Sequence, residues 1–387
     1  MHREIITLFL IPVLLLGCTR AARSKNSNEI DVNNATVITF NGSAVDIAGD
    51  GAEFSDKTLT IKQSGTYILS GRMENGQVFV DAGKNAVVQL VLNGVSLRNE
   101  TGPVIFSQGA GEIEIVLENG TQNTISRNYH LSSFNKRNAV ILAGEHLRIY
   151  GDGSLTISEA YNGIRAKGSL TISSGNYEIQ VQNKGIISDR VVVISDGNID
   201  ISDSNEGIEG RVVIISGGNI KVFARDDGIN ASGSKRIDDM FIRISGGTVN
   251  VNAIGDGIDS NGSIFLEGGT VRVSGPSEIN AAAIDLDGQF IINGGELITA
   301  GRVQSVSQPT TQPVILVSYT GEYASGSAIS VRNAAGDALL EYISETAFSK
   351  SGFSSPSFRI GETYSLYINE GKCADILLNS IITQISL

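Results

Sequence analysis

Five copies of one phrase decide the fold: Asn162-Gly163-Ile164, Lys184-Gly185-Ile186, Glu206-Gly207-Ile208, Asp227-Gly228-Ile229 and Asp256-Gly257-Ile258. A sixth, Ala282-Ala283-Ile284, keeps the isoleucine and loses the glycine. Ile164, Ile186, Ile208 and Ile229 follow one another at 21 or 22 residues, and the steps to Ile258 and Ile284 are longer. A period of this size marks a solenoid. Gly185-Ile186-Ile187, Val191-Val192-Val193-Ile194 and Ile199-Asp200-Ile201 fill one period with three short β-rich runs, which describes one coil of a parallel β-helix.

A coil of this size cannot bury its apolar side alone. It must stack on neighbours about 4.8 Å away along the axis, so that equivalent residues form columns. The expected fold is therefore all-β, a right-handed parallel β-helix, the hand following from the preferred crossover. The six isoleucines form one internal column. The glycine ahead of each, and the Gly-Gly pairs later in the coil, suit corners that need positive φ or no side chain. A β-sandwich is the alternative, and the regular register argues against it.

Outward from the repeats, β-rich runs punctuated by turn signals reach back to Thr36, as in Thr66-Tyr67-Ile68-Leu69 and Val87 to Leu92 with Asn93-Gly94 after it. Asn128 to Arg137 is an irregular loop, and an insertion lies around Ser234 to Asp239. After Gly301 the rhythm changes: Gln304 to Pro313 reads as a linker, followed by a small antiparallel β unit that caps the open end of the stack. The divisions are 1–18 for a signal segment, 19–35 for a flexible tether, 36–303 for the β-helix and 304–387 for linker and cap.

With 387 residues, 41% of them hydrophobic, the chain can bury a sizeable core. A net charge of -12 argues against nucleic acid as a partner and offers no basic face to anionic lipid. Three histidines, His2, His130 and His146, are too few and too scattered for a histidine metal site or a Ser-His-Asp triad. His2 and Arg3 precede an apolar run from Ile5 to Leu16 that is too short to span a bilayer. It ends in Leu15-Leu16-Gly17-Cys18, which resembles the bacterial lipobox, where Cys18 would be diacylated and become the mature N-terminus. An ordinary signal peptide that contains a cysteine is the plainer alternative. With Cys18 so used, Cys373 has no disulfide partner.

Stacking turns flanking residues into surface columns. Before each Gly-Ile stand Asn162, Lys184, Glu206, Asp227, Asp256 and Ala282; after each Ile stand Arg165, Ile187, Glu209, Asn230, Asp259 and Asp285. Carboxylates one coil apart repel by roughly 1 kcal/mol in water and about 3 kcal/mol near a protein surface. Calcium would offset that, since it takes six to eight oxygens in irregular geometry. The candidate ligands are Glu206, Asp226, Asp227, Asp256, Asp259 and Asp285. The competing explanation is that Asp and Asn make good corners and that counterions screen them. Lys184 reads either as a salt bridge between coils or as a lyase base acting beside calcium.

Several segments resemble a family of bacterial secreted β-helix proteins described as carbohydrate-binding. They are Ile38 to Asn123, the Asn138-to-Gly301 repeats and Phe353-Ser354-Ser355-Pro356 with Gly361-Glu362-Thr363-Tyr364; the most specific are Gly65 to Gly71 and Val91 to Leu97. The resemblance implies a right-handed β-helix that contains calcium, is similar in fold to pectate lyases, and binds cell-wall polysaccharides such as cellulose and polygalacturonate without catalysis. The chain departs from the family at Asn162, Lys184 and Ala282-Ala283, so calcium sites carry over only to the Asp227 and Asp256 coils with their neighbours.

Three functions follow as expectations. The first is a monomeric, non-catalytic, calcium-containing binding protein for cell-wall or uronate glycans, held at the cell envelope or surface by its lipid. The second is a calcium-dependent lyase with Lys184 as base. The third is a structural lipoprotein or adhesin. Lacking Trp, the chain would have to stack sugars on tyrosines such as Tyr150, Tyr161 and Tyr177.

Overall fold

The computed structural model describes residues 34–127, 139–233, 239–278 and 280–387. Cys18 and the tether before residue 34, the Asn128-to-Arg137 loop and most of the insertion lie outside these residues. Among the described residues there is no α-helix. Three-strand coils stack in parallel from the strand Thr58–Ile61 to the strand Phe290–Ala300. One wall of the stack is an eleven-stranded sheet made of one short strand per coil, including Lys184–Ser188, Glu206–Gly210, Ile229–Ala231, Ile258–Ser260 and Ile284–Leu286.

The isoleucine column is observed residue for residue. Ile164 pairs with Ile186, Ile186 with Ile208, Ile208 with Ile229, Ile229 with Ile258 and Ile258 with Ile284. The column continues backwards through Ile141, Ile105, Val78 and Leu59, beyond the recognisable phrase. All of these side chains are buried in one continuous core. Burying each is worth about 1.5–3 kcal/mol, so the column ties the solenoid together from end to end.

The two kinds of glycine divide the roles expected of them. Gly218, Gly247, Gly269 and Gly295, each the second of a Gly-Gly pair, have φ of +78° to +87°, a left-handed corner. The glycines ahead of isoleucine do not. They are there for space: a Cβ on Gly228 would stand 2.2 Å from Val251 Cγ1 and 2.6 Å from the Gly257 carbonyl oxygen of the next coil.

Gln304 to Pro313 is not a free linker. Gln304 N donates to the Ile284 carbonyl at 3.0 Å, Gln312 N to Ile292 at 3.2 Å, and the Gln312 amide to the Ser354 hydroxyl at 2.8 Å. The stretch therefore lies against the last coil. Strand Phe348–Ser354 then pairs antiparallel with Phe290–Ala300, which gives the final coil's exposed edge a partner. A separate four-stranded antiparallel sheet runs Ala338–Ile343, Ala328–Arg332, Thr363–Ile368, Gly371–Leu377 in spatial order. It packs its own core around Phe348, Phe353, Phe358, Tyr364 and Leu366.

The close approach at the repeat glycines predicts a contrast. Gly228→Ala should cost about 1–3 kcal/mol, as overpacking does. Gly321→Ala, with nothing within 4 Å of the added Cβ, should stay within about 0.5 kcal/mol. Urea unfolding measures both, and equal effects would contradict the close-packed corner.

Candidate metal centre

The eleven-stranded wall carries the acidic columns in register. Lys184 pairs with Glu206, and the neighbouring column runs Arg165, Ile187, Glu209, Asn230, Asp259, Asp285. Outward alternation in Ile258–Ser260 and Ile284–Leu286 turns Asp259 and Asp285 outward while the isoleucines enter the core.

Three of the six candidate acids converge. Asp256, Asp259 and Asp285 each offer a carboxylate oxygen, and these oxygens lie within 4.8 Å of one another. Asp227 adjoins the group: its Oδ1 accepts the Asp256 amide at 3.2 Å and its Oδ2 accepts the Asn230 side-chain amide at 2.9 Å. Asp256 repeats the first contact by accepting the Ala282 amide at 2.6 Å. Asn162 does likewise for Lys184 N at 3.0 Å. One function of this column is thus structural, because Asn162, Asp227 and Asp256 each take up a backbone amide of the following coil. Asp226 is exposed and accepts from Asn205 at 3.3 Å. Glu206 is held by Lys184 at 3.1 Å. Neither joins the convergent three.

Asp259 is the centre of the electrostatic problem. No hydrogen bond or ion pair reaches it among the described residues, and its carboxyl is pushed up to about 7 by burial first, then by Asp227, Asp256, Asp285 and Asp287. Asp227 is pushed up to about 6, by burial and then by Asp226, against the pull of the Asp256 amide. Burial also raises Asp256 and Asp285; the Ala282 amide restrains the first, and Arg302, whose Nη2 stands 3.3 Å from Asp285 Oδ1, restrains the second.

These residues fit calcium. Two oxygens on opposite sides of an ion at about 2.4 Å lie up to about 4.8 Å apart, and the three oxygens of the group fall within that limit. The donors are all oxygens, the preference of a hard cation. Next to Asp259 in register, the buried Asn230 leaves its Oδ1 with no hydrogen-bond partner among the described residues.

Lys184 lies elsewhere in function. Its Nζ donates to Glu206 and to Glu209, spanning one coil in the manner of a ladder salt bridge. Burial draws its pKa down, but Glu209 and Glu206 outweigh this and the net shift is upward. Sequence reasoning singled out neither Glu209, nor Asn230, nor Arg302. The first two stand in the column after isoleucine, where the signal was present; Arg302 follows the last repeat, so periodicity gives no hint of it. Of the tyrosines expected to stack sugars, Tyr161 is half-buried, and the other two need correcting. Tyr177 is buried in the core, and Tyr150 is 4% exposed with its hydroxyl bonded to Glu114 and Gln89.

Among solved structures, one described as the polysaccharide lyase-like protein from C. thermocellum, a gadolinium derivative, matches with a TM-score of 0.53 at 28% identity. The match covers 67% of this chain and 96% of that one. The fold is therefore a parallel β-solenoid of the polysaccharide lyase-like class. More particularly, a family profile described as carbohydrate-binding domain-containing protein matches residues 55–211 and 185–308, well over half of the chain. The protein belongs to that family. A curated relative from Acetivibrio thermocellus with the same description is 31% identical over 179 residues, 44% of this chain and 62% of the relative. The matched region thus spans less than two thirds of that relative's length.

The charge at Asp259 has a pH signature. Folded, its carboxyl keeps its proton up to about 7; unfolded, it loses it near 3.9. In that interval the folded state binds more protons, so this group lowers stability as pH rises through it. In chelator at pH 8, Asp259→Asn should therefore melt above the parent protein by about 2–4 °C, with a smaller gap at pH 5. A variant melting no higher at pH 8 would show that the repulsion is absent.

Proposed function

We propose that the protein is a lipid-anchored, calcium-containing polysaccharide-binding protein of the cell envelope or surface, which takes cell-wall or uronate-containing glycans without cleaving them. The observation that carries the reading is the convergence of Asp256, Asp259 and Asp285 from successive coils, with no countercharge at Asp259 among the described residues. Membership of a carbohydrate-binding family supports the glycan as partner. The similar solved structure is a gadolinium derivative, and gadolinium is, like calcium, a hard cation.

Asp256, Asp259 and Asp285 would hold the ion, with Asp227 and Asn230 beside them. Bound there, calcium supplies positive charge to an acidic face that otherwise repels uronates. The chain's own residues do the rest: they fix the carboxylates one coil apart and, through Asp227 and Asp256, anchor the next coil's backbone.

The lyase reading needs an unprotonated base. Lys184 is engaged by two carboxylates and its pKa is raised, the wrong direction for proton abstraction at neutral pH. This weighs for binding without cleavage.

Retention on immobilised polygalacturonate tests the proposal. Retention should be stronger with calcium, the calcium-dependent part should fall by at least tenfold in chelator or with Asp259→Asn, and no rise in unsaturated-uronide absorbance at alkaline pH should accompany it. Retention indifferent to chelator would overturn the calcium reading. A rise in absorbance that Lys184→Ala abolishes would establish the lyase instead.

A further inference from the structure

The family match ends at residue 308, and the C-terminal sheet beyond it builds a cleft of its own. The cleft has a volume of about 660 Å³ and lies between the solenoid's long sheet and the strands Ala328–Arg332, Ala338–Ile343 and Thr363–Ile368. That volume suits one or a few sugar rings, since small-ligand sites run about 300–1,000 Å³. The walls are fixed to one another. Tyr342 of the C-terminal sheet bonds Ser274 of the solenoid through their hydroxyls at 2.6 Å, and Glu345 N donates to Ser274 Oγ at 2.8 Å.

The cleft holds two guanidiniums without carboxylate partners. Arg272, on the solenoid side, makes no hydrogen bond or ion pair among the described residues, and its charge acts on Tyr342 of the opposite wall. Arg332, on the cap side, lies over the Tyr367 ring at 4.6 Å and donates its Nε to Ser330 at 3.2 Å. The remaining N–H groups of both forks have no acceptor among the described residues. In a chain of net charge -12, two arginines left unpaired in one concavity stand out from Arg165, Arg211, Arg225 and Arg302, each of which meets an aspartate. Glu341 and Glu370 also line the cleft, but both are exposed and neither pairs with an arginine among the described residues.

We infer that this cleft is a second glycan site, specific for a carboxylated sugar, with Arg272 and Arg332 receiving the carboxylate. Guanidinium forks match carboxylate geometry through paired N–H donors. Tyr342 and Tyr367 are half-buried and give the ring an aromatic wall. Asn250, paired in register with Arg272 one coil back, offers an amide to the sugar hydroxyls. Lys221 continues the same row, so a longer chain has a polar track along the sheet face away from the cleft. The inference rests on the reading of the protein as polysaccharide-binding. It requires no calcium, and the site is built from residues separate from the acidic wall.

Titration calorimetry in chelator, which silences the calcium face, with trigalacturonate and with cellotriose as the uncharged control, tests it on the full chain. Trigalacturonate should bind the parent protein and the Asp259→Asn variant alike. Arg272→Gln should weaken it by at least tenfold, Arg272→Gln with Arg332→Gln should abolish it, and cellotriose should bind far more weakly throughout. Arg272 makes no bond that the fold uses, so the variant should melt with the parent protein; Arg272→Lys, which keeps the charge and loses the fork, should recover only part of the affinity. Trigalacturonate affinity unchanged by Arg272→Gln would overturn the cleft. Failure of the parent protein to bind trigalacturonate would overturn the cleft, even with polygalacturonate retained by the calcium face. Equal affinity for cellotriose would overturn the specificity for carboxylate.

Discussion

Backbone hydrogen bonds between successive coils hold equivalent residues about 4.8 Å apart, and this spacing turns every repeated position into a column. Inside, the column is isoleucine upon isoleucine from Ile105 to Ile284, broken by no polar residue. At the corner beside it, the same spacing leaves no room for a Cβ on Gly207, Gly228 or Gly257, where the next carbonyl or valine methyl stands at 2.2–2.6 Å. Glycine and isoleucine are therefore architecture. The residues on either side are free to vary, and the chemistry lies in them.

The outward columns bear the same constraint with the opposite consequence. Repetition that favours apolar residues inside brings like charges together outside. The chain answers in two ways along one wall. Between the Lys184 and Glu206 coils a lysine bridges two glutamates. Further along the wall, Asp256, Asp259 and Asp285 meet, and among the described residues Arg302 alone pairs with them, at one edge. The first arrangement is neutralised by the protein itself. The second is half-buried and lacks such an internal solution at Asp259, which is why a bound cation is the natural complement.

The fold was legible because its signal is periodic: the isoleucine register read from spacing is the register observed. The reading erred where geometry depends on more than period. The glycines ahead of isoleucine could have marked either positive φ or close approach, and only the neighbouring coil decides for the latter. Tyr150 and Tyr177 sit in strands where one step of alternation separates core from surface, so their availability could not be judged from composition. Gln304 to Pro313 has a linker's composition, yet it satisfies the last coil's backbone. Arg302 enters the acidic group from beyond the final repeat, where columns no longer predict neighbours. The arginines of the C-terminal cleft come from a solenoid strand and a sheet far along the chain, which no local pattern connects.

The central claim, that the acidic columns form a cation site, is tested most directly by anomalous X-ray diffraction from crystals grown in calcium. The account predicts a calcium peak bounded by Asp256, Asp259 and Asp285, with carboxylate oxygens at about 2.3–2.6 Å from it. A well-ordered wall carrying no such peak at saturating calcium, with the three carboxylates as close as they stand here, would contradict it.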